Sequence, residues 1–175
     1  MNSRVFISID IPDNLKKEII KLQNSFPEFV GKKTESENLH LTLKFLGEID
    51  EEKLEEVKEK LEEIELKEFE TEIDSIGFFS PDLIRIIWLH LSTCEELQKK
   101  VDSVLEGLFA PEKRFMSHVT IARVKSVKDK NKFIKELKGI KPVRIKFMVK
   151  DFKLKRSVLK QNGPEYEDLE VYTPR

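Results

Sequence analysis

The chain has 175 residues, of which 39% are hydrophobic and 37% charged, so it is long enough to bury a core as one globular domain. It contains no apolar run near the roughly 20 residues that a membrane-spanning helix needs, and its N-terminal segment lacks the pattern of a secretory signal. Cys94 is the single cysteine, which excludes an internal disulfide, and the three histidines show no metal-ligand spacing, so we expect a cytoplasmic protein without metal, cofactor or membrane partner.

Apolar residues recur along the first half with the periods of strands and helices. This pattern predicts a strand over residues 5–11, a helix around residues 15–26, a strand over residues 39–45 that ends at Gly47, and a helix around residues 54–64. Two strands follow over residues 69–79 and 84–91, and a Ser-Pro-Asp turn at residues 80–82 joins them.

The second half continues the alternation of helices and strands. We predict a helix around residues 97–108, a strand over residues 118–124, a short helix around residues 133–137 and a strand over residues 143–149. The apolar alternation then slips by one residue at Phe152, which indicates a bulge or a bend. A turn at residues 162–164 precedes a short last strand near residues 169–172.

Two parts of the chain share one order of elements. The strand that starts at Val5 leads through a helix to the strand with His40, about 35 residues on, and the strand that starts at Ile84 leads through a helix to His118. An internal repeat of this kind is typical of two related units that pack together. We therefore expect residues 1–175 to form a single domain of two intertwined lobes, which face each other across a cleft.

Each of these units contains one His-x-Thr-x motif with apolar x residues. The two copies are His40-Leu41-Thr42-Leu43 and His118-Val119-Thr120-Ile121. Side chains alternate between the faces of a strand, so His and Thr share one face while the apolar residues pack into the lobe. One such motif also arises in an ordinary half-buried strand. Two copies at equivalent places, which use two of the three histidines, favour a functional site.

Two imidazoles and two hydroxyls around one small volume suit a phosphodiester. Imidazole titrates near pH 6.5, so one histidine can accept a proton from water while the other protonates the leaving oxygen. Threonine hydroxyls can bond the non-bridging oxygens, where negative charge builds. A cyclic phosphate is strained and needs no metal. We predict that His40 and His118 are catalytic and that Thr42 and Thr120 bind substrate.

Charge is unevenly distributed, although the net charge is only −1. Residues 48–74 include 14 acidic and 4 basic residues, whereas residues 113–160 include 17 basic and 3 acidic residues. A local basic excess of this size is typical of surfaces that bind an anionic partner, most often a phosphate chain. A solvated Lys-rich surface gives the same pattern, so both interpretations stay open.

The third histidine and the strand aromatics have a simpler interpretation. His90 has no threonine two positions later, so we interpret it as a strand residue and not as a substrate contact. Four aromatic residues offer flat surfaces on which bases can stack: Phe45, Phe79, Trp88 and Tyr166. Aromatic residues in strands usually pack in the core, which is the role we expect for them.

At these residues the chain resembles the 2H phosphoesterase superfamily, and within it the bacterial and archaeal RNA 2′,3′-cyclic phosphodiesterases, historically called 2′-5′ RNA ligases. The resemblance covers nearly the whole chain. It rests on residues 4–9, 38–48, 86–89, 115–123, 157–159 and 163–166. One departure is Ser117, where the family often has proline before the second histidine; the chemistry does not depend on it.

The resemblance implies a bilobal, pseudo-symmetric α+β fold, with two antiparallel sheets around a central cleft and helices on the outside. It implies hydrolysis of an RNA 2′,3′-cyclic phosphate end, such as that of a tRNA fragment, to a 2′-phosphate end. Joining of tRNA halves by 2′-5′ ligation and RNA-end binding without catalysis are the alternatives. No long heptad pattern calls for a partner helix, so we expect a monomer.

The resemblance also assigns residue roles by position. His40 matches the proton donor of the family and His118 its proton acceptor, while Arg123 matches an arginine that contacts the phosphate. Strand alternation opposes the assignment of Arg123, because an even number of positions separates it from the apolar Val119 and Ile121. In a regular strand it would therefore lie on their face and not on the face of His118. A bulge, a twist or the end of the strand would be needed to turn it toward the site.

Overall fold

The computed structural model describes residues 1–78, 85–141 and 144–175. Within these residues, nine strands and four α-helices form an α+β fold in which all strand pairs are antiparallel, as expected. The helices of this part of the chain are too short or too polar to cross a membrane.

The α-helices and strands of the first half alternate as predicted, with one added strand and, outside this set, one added 3-10 turn at Ser36–Asn38. They are β1 (Ser3–Asp10), α1 (Asp13–Asn24), β2 (Val30–Lys33), β3 (His40–Ile49), α2 (Glu51–Glu62) and β4 (Phe69–Phe78). Strand β3 continues through Gly47, where we had expected it to end. Strand β2 was not predicted, because its four residues are all exposed and show no apolar alternation.

The second half supplies the remaining elements. They are β5 (Ile86–Leu91), α3 (Glu95–Val104), β6 (His118–Ser126), α4 (Lys130–Lys138), β7 (Ile145–Val149), β8 (Phe152–Lys160) and β9 (Gly163–Tyr172). The last strand is longer than expected, because it pairs with β8 along its whole length. The turn predicted at residues 80–82 lies outside the described residues.

The strands form one sheet in the order β7-β4-β5-β6-β3-β1-β8-β9, and β2 pairs with β6. Its two halves of four strands meet only where Leu41 of β3 pairs with Val119 of β6. The two sheets that we expected are therefore the halves of one sheet, which β3 and β6 join at one residue pair before they separate. The separation opens a cleft, and β2 occupies the next part of the β6 edge.

The slip in apolar alternation at Phe152 marks a crossing between these halves. Strand β7 pairs with β4, whereas β8, two residues further on, pairs with β1 and β9. The slip is therefore a bend between two strands rather than a bulge within one strand.

A single core lies on one face of the sheet. Leu41 and Leu43 in β3 and Val119 and Ile121 in β6 are buried there with the apolar sides of the four helices. Because strand side chains alternate, the histidines and threonines of the two motifs lie on the opposite face. The core thus holds the two strands while leaving their polar face to the cleft.

Candidate active site

A cavity of about 490 Å³ lies where β3 and β6 separate. Its lining includes all five residues that the sequence singled out: His40, Thr42, His118, Thr120 and Arg123. The volume is within the roughly 300–1,000 Å³ range of small-molecule sites. Both motifs therefore contribute to one cavity, as the strand pattern predicted.

The two imidazoles are fixed in the same way. Nδ1 of His40 lies 2.8 Å from the carbonyl oxygen of Asn38, and Nδ1 of His118 lies 2.7 Å from that of Met116. A carbonyl oxygen only accepts, so each Nδ1 donates and each Nε2 is the nitrogen that exchanges protons. In His40 this Nε2 lies 3.1 Å from the hydroxyl oxygen of Thr42.

The His40 ring is enclosed by aromatic side chains. The Phe6 and Tyr166 rings each have their centroids 5.1 Å from that of His40. Burial lowers the pKa of His40 below its ordinary 6.5, and the hydrogen bond to the Asn38 carbonyl opposes this shift without cancelling it. Burial of the ring therefore favours its neutral form over the imidazolium.

An ion-pair cluster lies beside His40. Asp10, which pairs with His40 across β1 and β3, accepts from Lys155 at 2.8 Å and from Lys153 at 2.9 Å. Burial would raise the pKa of Asp10, but the hydrogen bonds from these two lysines outweigh burial and hold the pKa below 3.8. The charges of Lys155 and Asp10 act on His40 in opposite directions.

A β-bulge resolves the parity problem of Arg123. Ile87 and Trp88 are consecutive in β5, yet they pair with Ala122 and Thr120 of β6, so Ile121 has no partner in β5. The extra residue reverses the alternation beyond Thr120. Arg123 thereby lies on the face of His118 and lines the cavity.

Strand β3 contains a second β-bulge. Ile7 and Ser8 of β1 pair with Lys44 and Thr42, so Leu43 is the extra residue. Phe45 is turned to the cleft face, where it lines the cavity and is 49% exposed. Our expectation of a core role, which rested on the usual packing of strand aromatics, was wrong for this residue. Pairing with β1 creates a bulge that turns Phe45 to the cleft face.

The other candidates lie in different places. Tyr166 also lines the cavity rather than the core, because β9 brings it against Phe6 and His40. Trp88 packs against Gly77, where a Cβ atom would come within 2.6 Å of the indole. Phe79 lies outside the described residues.

The third histidine lies outside the cavity. His90 pairs with His118 across β5 and β6, but its Nδ1 lies 2.7 Å from Asp74 and the cavity lining does not include it.

The cations of the cavity come mainly from the first half of the chain. Arg4, Lys32 and Lys33 line it together with Arg123, and Lys32 pairs with Glu35 at 2.8 Å. Within the described part of residues 113–160, Arg123 is the one basic residue in the lining. The basic excess of that stretch thus gave no guide to Lys32 and Lys33, which belong to the unpredicted strand β2.

Close backbone contact brings β2 to the site. Gly31 has φ +156°, and a Cβ atom there would lie 2.1 Å from the Arg123 carbonyl oxygen. In the sequence, Gly31 between Val30 and two lysines was the one feature that could have predicted a close contact between this segment and another strand. Across the described ranges, no group of three or more His, Cys, Asp or Glu side chains is placed to hold a metal ion.

The chain is similar to known phosphoesterases over most of its length. The model of a family described as LigT like Phosphoesterase matches residues 9–88 and 92–166. An RNA 2′,3′-cyclic phosphodiesterase of Methanocaldococcus jannaschii is 39% identical, over 97% of this chain and 99% of that protein. An RNA 2′,3′-cyclic phosphodiesterase of Archaeoglobus fulgidus is 33% identical, again over 97% of this chain and 99% of that protein.

Solved structures share the fold. Protein TT0787 of Thermus thermophilus superposes with a TM-score of 0.82 and 26% identity, over 97% of both chains. Escherichia coli LigT in complex with 3′-AMP has a TM-score of 0.82 and 24% identity, over 99% of both chains. The arrangement of strands around the cleft is therefore one that other proteins with this fold possess.

Proposed function

Because this chain belongs to the LigT-like phosphoesterase family, we propose that it hydrolyses RNA 2′,3′-cyclic phosphate ends to 2′-phosphate ends. The acid–base pair is His40 and His118, and no metal ion takes part. The observation that carries this proposal is the meeting of two His-x-Thr strands in one cavity, with each imidazole fixed through Nδ1. Three curated relatives with 31–39% identity are named RNA 2′,3′-cyclic phosphodiesterase.

In the proposed step, water attacks phosphorus and the bond from phosphorus to the 3′ oxygen breaks. Nε2 of His118 accepts the proton of the water, and Nε2 of His40 donates a proton to the departing oxygen. The products are a 2′-phosphomonoester and a free 3′ hydroxyl. The proton then has to return from His118 to His40, through solvent, before the next turnover.

The remaining cavity groups stabilise the charge on the phosphate. The hydroxyls of Thr42 and Thr120 donate to non-bridging oxygens, and the guanidinium of Arg123 offsets the negative charge of the transition state. Lys32 and Lys33 at the β2 edge add positive potential. Ring strain and a sugar leaving group make these groups sufficient without a metal ion.

The product end tests this proposal. A short RNA with a 2′,3′-cyclic phosphate is incubated with the protein in EDTA, and the product is compared with synthetic 2′-phosphate and 3′-phosphate standards. We expect the 2′-phosphate at an undiminished rate. A 3′-phosphate would contradict the identity of the leaving oxygen, and a rate that needs added metal would contradict the metal-free step. Joined product from tRNA halves, with no hydrolysis, would favour ligation instead.

A further inference from the structure

Helix α1 contains a buried amide where its helical spacing calls for an apolar residue. Leu15, Ile19 and Gln23 follow each other at intervals of four and are the buried residues of this helix, and Gln23 is 4% exposed. Burial of an amide is costly unless its groups form hydrogen bonds. The partners of Gln23 therefore indicate what its side chain holds in place.

The side-chain amide of Gln23 joins two segments that lie far apart in the sequence. Its Nε2 donates to the carbonyl oxygen of Ile121 at 2.8 Å and to that of Thr34 at 2.9 Å. The backbone amide of Thr34 donates to the same Ile121 carbonyl at 3.0 Å. Both hydrogens of the side-chain amide are thus used, and helix α1, the residue after β2 and strand β6 are fastened at one point.

The two carbonyl groups belong to the segments that form the phosphate end of the cavity. Ile121 is the extra residue of the β6 bulge, which turns Arg123 to the cleft. Thr34 lines the cavity and directly follows β2, whose two lysines also line it. Gln23 lies outside the lining, so it acts on the site through the backbone that it holds.

The direction of Arg123 is sensitive to the register of β6. A slip of one residue moves the side chains beyond it to the other face of a sheet, and here it would turn Arg123 away from the cleft. The hydrogen bonds to the Ile121 carbonyl oppose such a slip, because this oxygen has to stay within reach of both Gln23 and Thr34.

We propose that Gln23 is a positioning residue for the phosphate site, which fixes the β6 bulge against β2 and thereby holds the Arg123 guanidinium toward the substrate. This inference rests on the proposed function, in which that guanidinium offsets the charge of the transition state. Without the two hydrogen bonds, the guanidinium also occupies positions from which it does not reach the phosphate. The effect of losing Gln23 therefore depends on the presence of Arg123.

A double-mutant cycle tests this dependence. Gln23→Met keeps the length of the side chain and removes its donors, so we expect kcat/KM on RNA with a 2′,3′-cyclic phosphate to fall by about 10- to 100-fold. The loss should not exceed that of Arg123→Ala. In the Arg123→Ala background, where the guanidinium is already absent, Gln23→Met should have little further effect.

A second buried glutamine supplies the matched control. Gln98 is 3% exposed, and its amide donates to Asp102 of the same helix at 2.9 Å. Gln98→Met should lower stability toward urea and leave kcat/KM near its wild-type value. Gln23→Asn is the second variant if Gln23→Met does not fold. It keeps an amide that is one methylene too short to reach both carbonyl oxygens, and its loss should depend on Arg123 in the same way.

The outcomes separate this role from the function itself. An equal loss on Gln23→Met in the wild-type and Arg123→Ala backgrounds would show that Gln23 supports only the fold, and would overturn the inference. Wild-type kcat/KM in a folded Gln23→Met protein, or in Arg123→Ala, would overturn it as well. In each of these cases the hydrolase remains, whereas no hydrolysis by wild type would refute the proposed function.

Discussion

At the scale of single residues, the surroundings of His40 oppose the role proposed for it. A proton donor must be protonated, yet burial lowers the pKa of this imidazole below 6.5. An anionic phosphate in the cavity favours the imidazolium, so substrate itself raises the pKa of His40. Under the proposed mechanism, the acid is therefore formed together with the complex.

Opening the aromatic enclosure should change this pKa. Tyr166→Ala removes a ring that covers His40, so water reaches the imidazole and the pKa should rise toward 6.5. NMR titration of the His40 ring protons measures it directly. We expect a midpoint below 6.5 in wild type and a higher midpoint in the variant or after addition of inorganic phosphate.

The other tyrosine supplies the control for this titration. Tyr172 stacks on Phe152, away from the cavity lining, so Tyr172→Ala should leave the His40 midpoint where wild type has it. A His40 midpoint that is the same in wild type and Tyr166→Ala would show that the ring does not control solvation of the imidazole.

The sequence predicted the residues whose placement depends on local alternation. His40, Thr42, His118 and Thr120 follow the period of two along a strand, and all four line the cavity. Phe45 was assigned to the core, and the parity of Arg123 could not be reconciled with its role. Both lie beyond a bulge, and a bulge depends on the register with a neighbouring strand, which the local pattern does not contain.

At the scale of elements, a buried ion pair fastens strand β3 to helix α3. The bulge at Leu43 leaves Lys44 on the buried face, with its side chain 2% exposed. Its amine donates to Asp102 at 2.6 Å and to the carbonyl oxygen of Ala110 at 2.7 Å. The strand that carries His40 is thus held by a charge that would be costly without its partner.

Removal of the carboxylate should be strongly destabilising. Asp102→Ala leaves the buried Lys44 charge with only the more exposed carboxylate of Glu112, 3.6 Å away, so we expect the free energy of unfolding to fall by up to about 3–5 kcal/mol. Urea denaturation measures the change. Glu96→Ala, which breaks an exposed pair with Lys100, should cost less than about 1 kcal/mol. Equal losses in the two variants would contradict the account of Lys44.

The same pair predicts a pH dependence. Burial would raise the pKa of Asp102, but the hydrogen bond from Lys44, aided by Gln98 and the Glu112 amide, holds that pKa below 3.8. A group whose pKa is lowered by folding stabilises the fold above its ordinary pKa. This contribution is therefore complete above pH 3.8 and is lost as pH falls through the lowered value.

The helices were more predictable than the strands. Each of the four α-helices has apolar residues at helical spacing, and that spacing alone located them. Strand β2 has no buried residue, so only its contact with β6 defines it as a strand. The full length of β9 likewise depends on its pairing with β8.

At the scale of the whole molecule, the chain crosses between the two halves of the sheet. Strand β4, from the first part of the chain, pairs with β5 and β7, whereas β8 and β9, from the C-terminal part, join β1. The cavity consequently draws on residues from Arg4 to Tyr166. The helical and strand periods of the sequence do not specify the order of strands in the sheet. The repeat therefore predicted a cleft but not which other residues would line it.

The acid–base pair is tested most directly by comparing the three histidines of the chain. Single-turnover rates are measured on RNA with a 2′,3′-cyclic phosphate for His40→Ala, His118→Ala, the double variant and the matched control His90→Gln, with circular dichroism to verify folding. We predict that each single alanine variant is slower by about 10²- to 10⁴-fold, that the double variant is little slower still, and that His90→Gln stays close to wild type. Near-normal rates in a folded His40→Ala or His118→Ala protein would contradict the two-histidine mechanism.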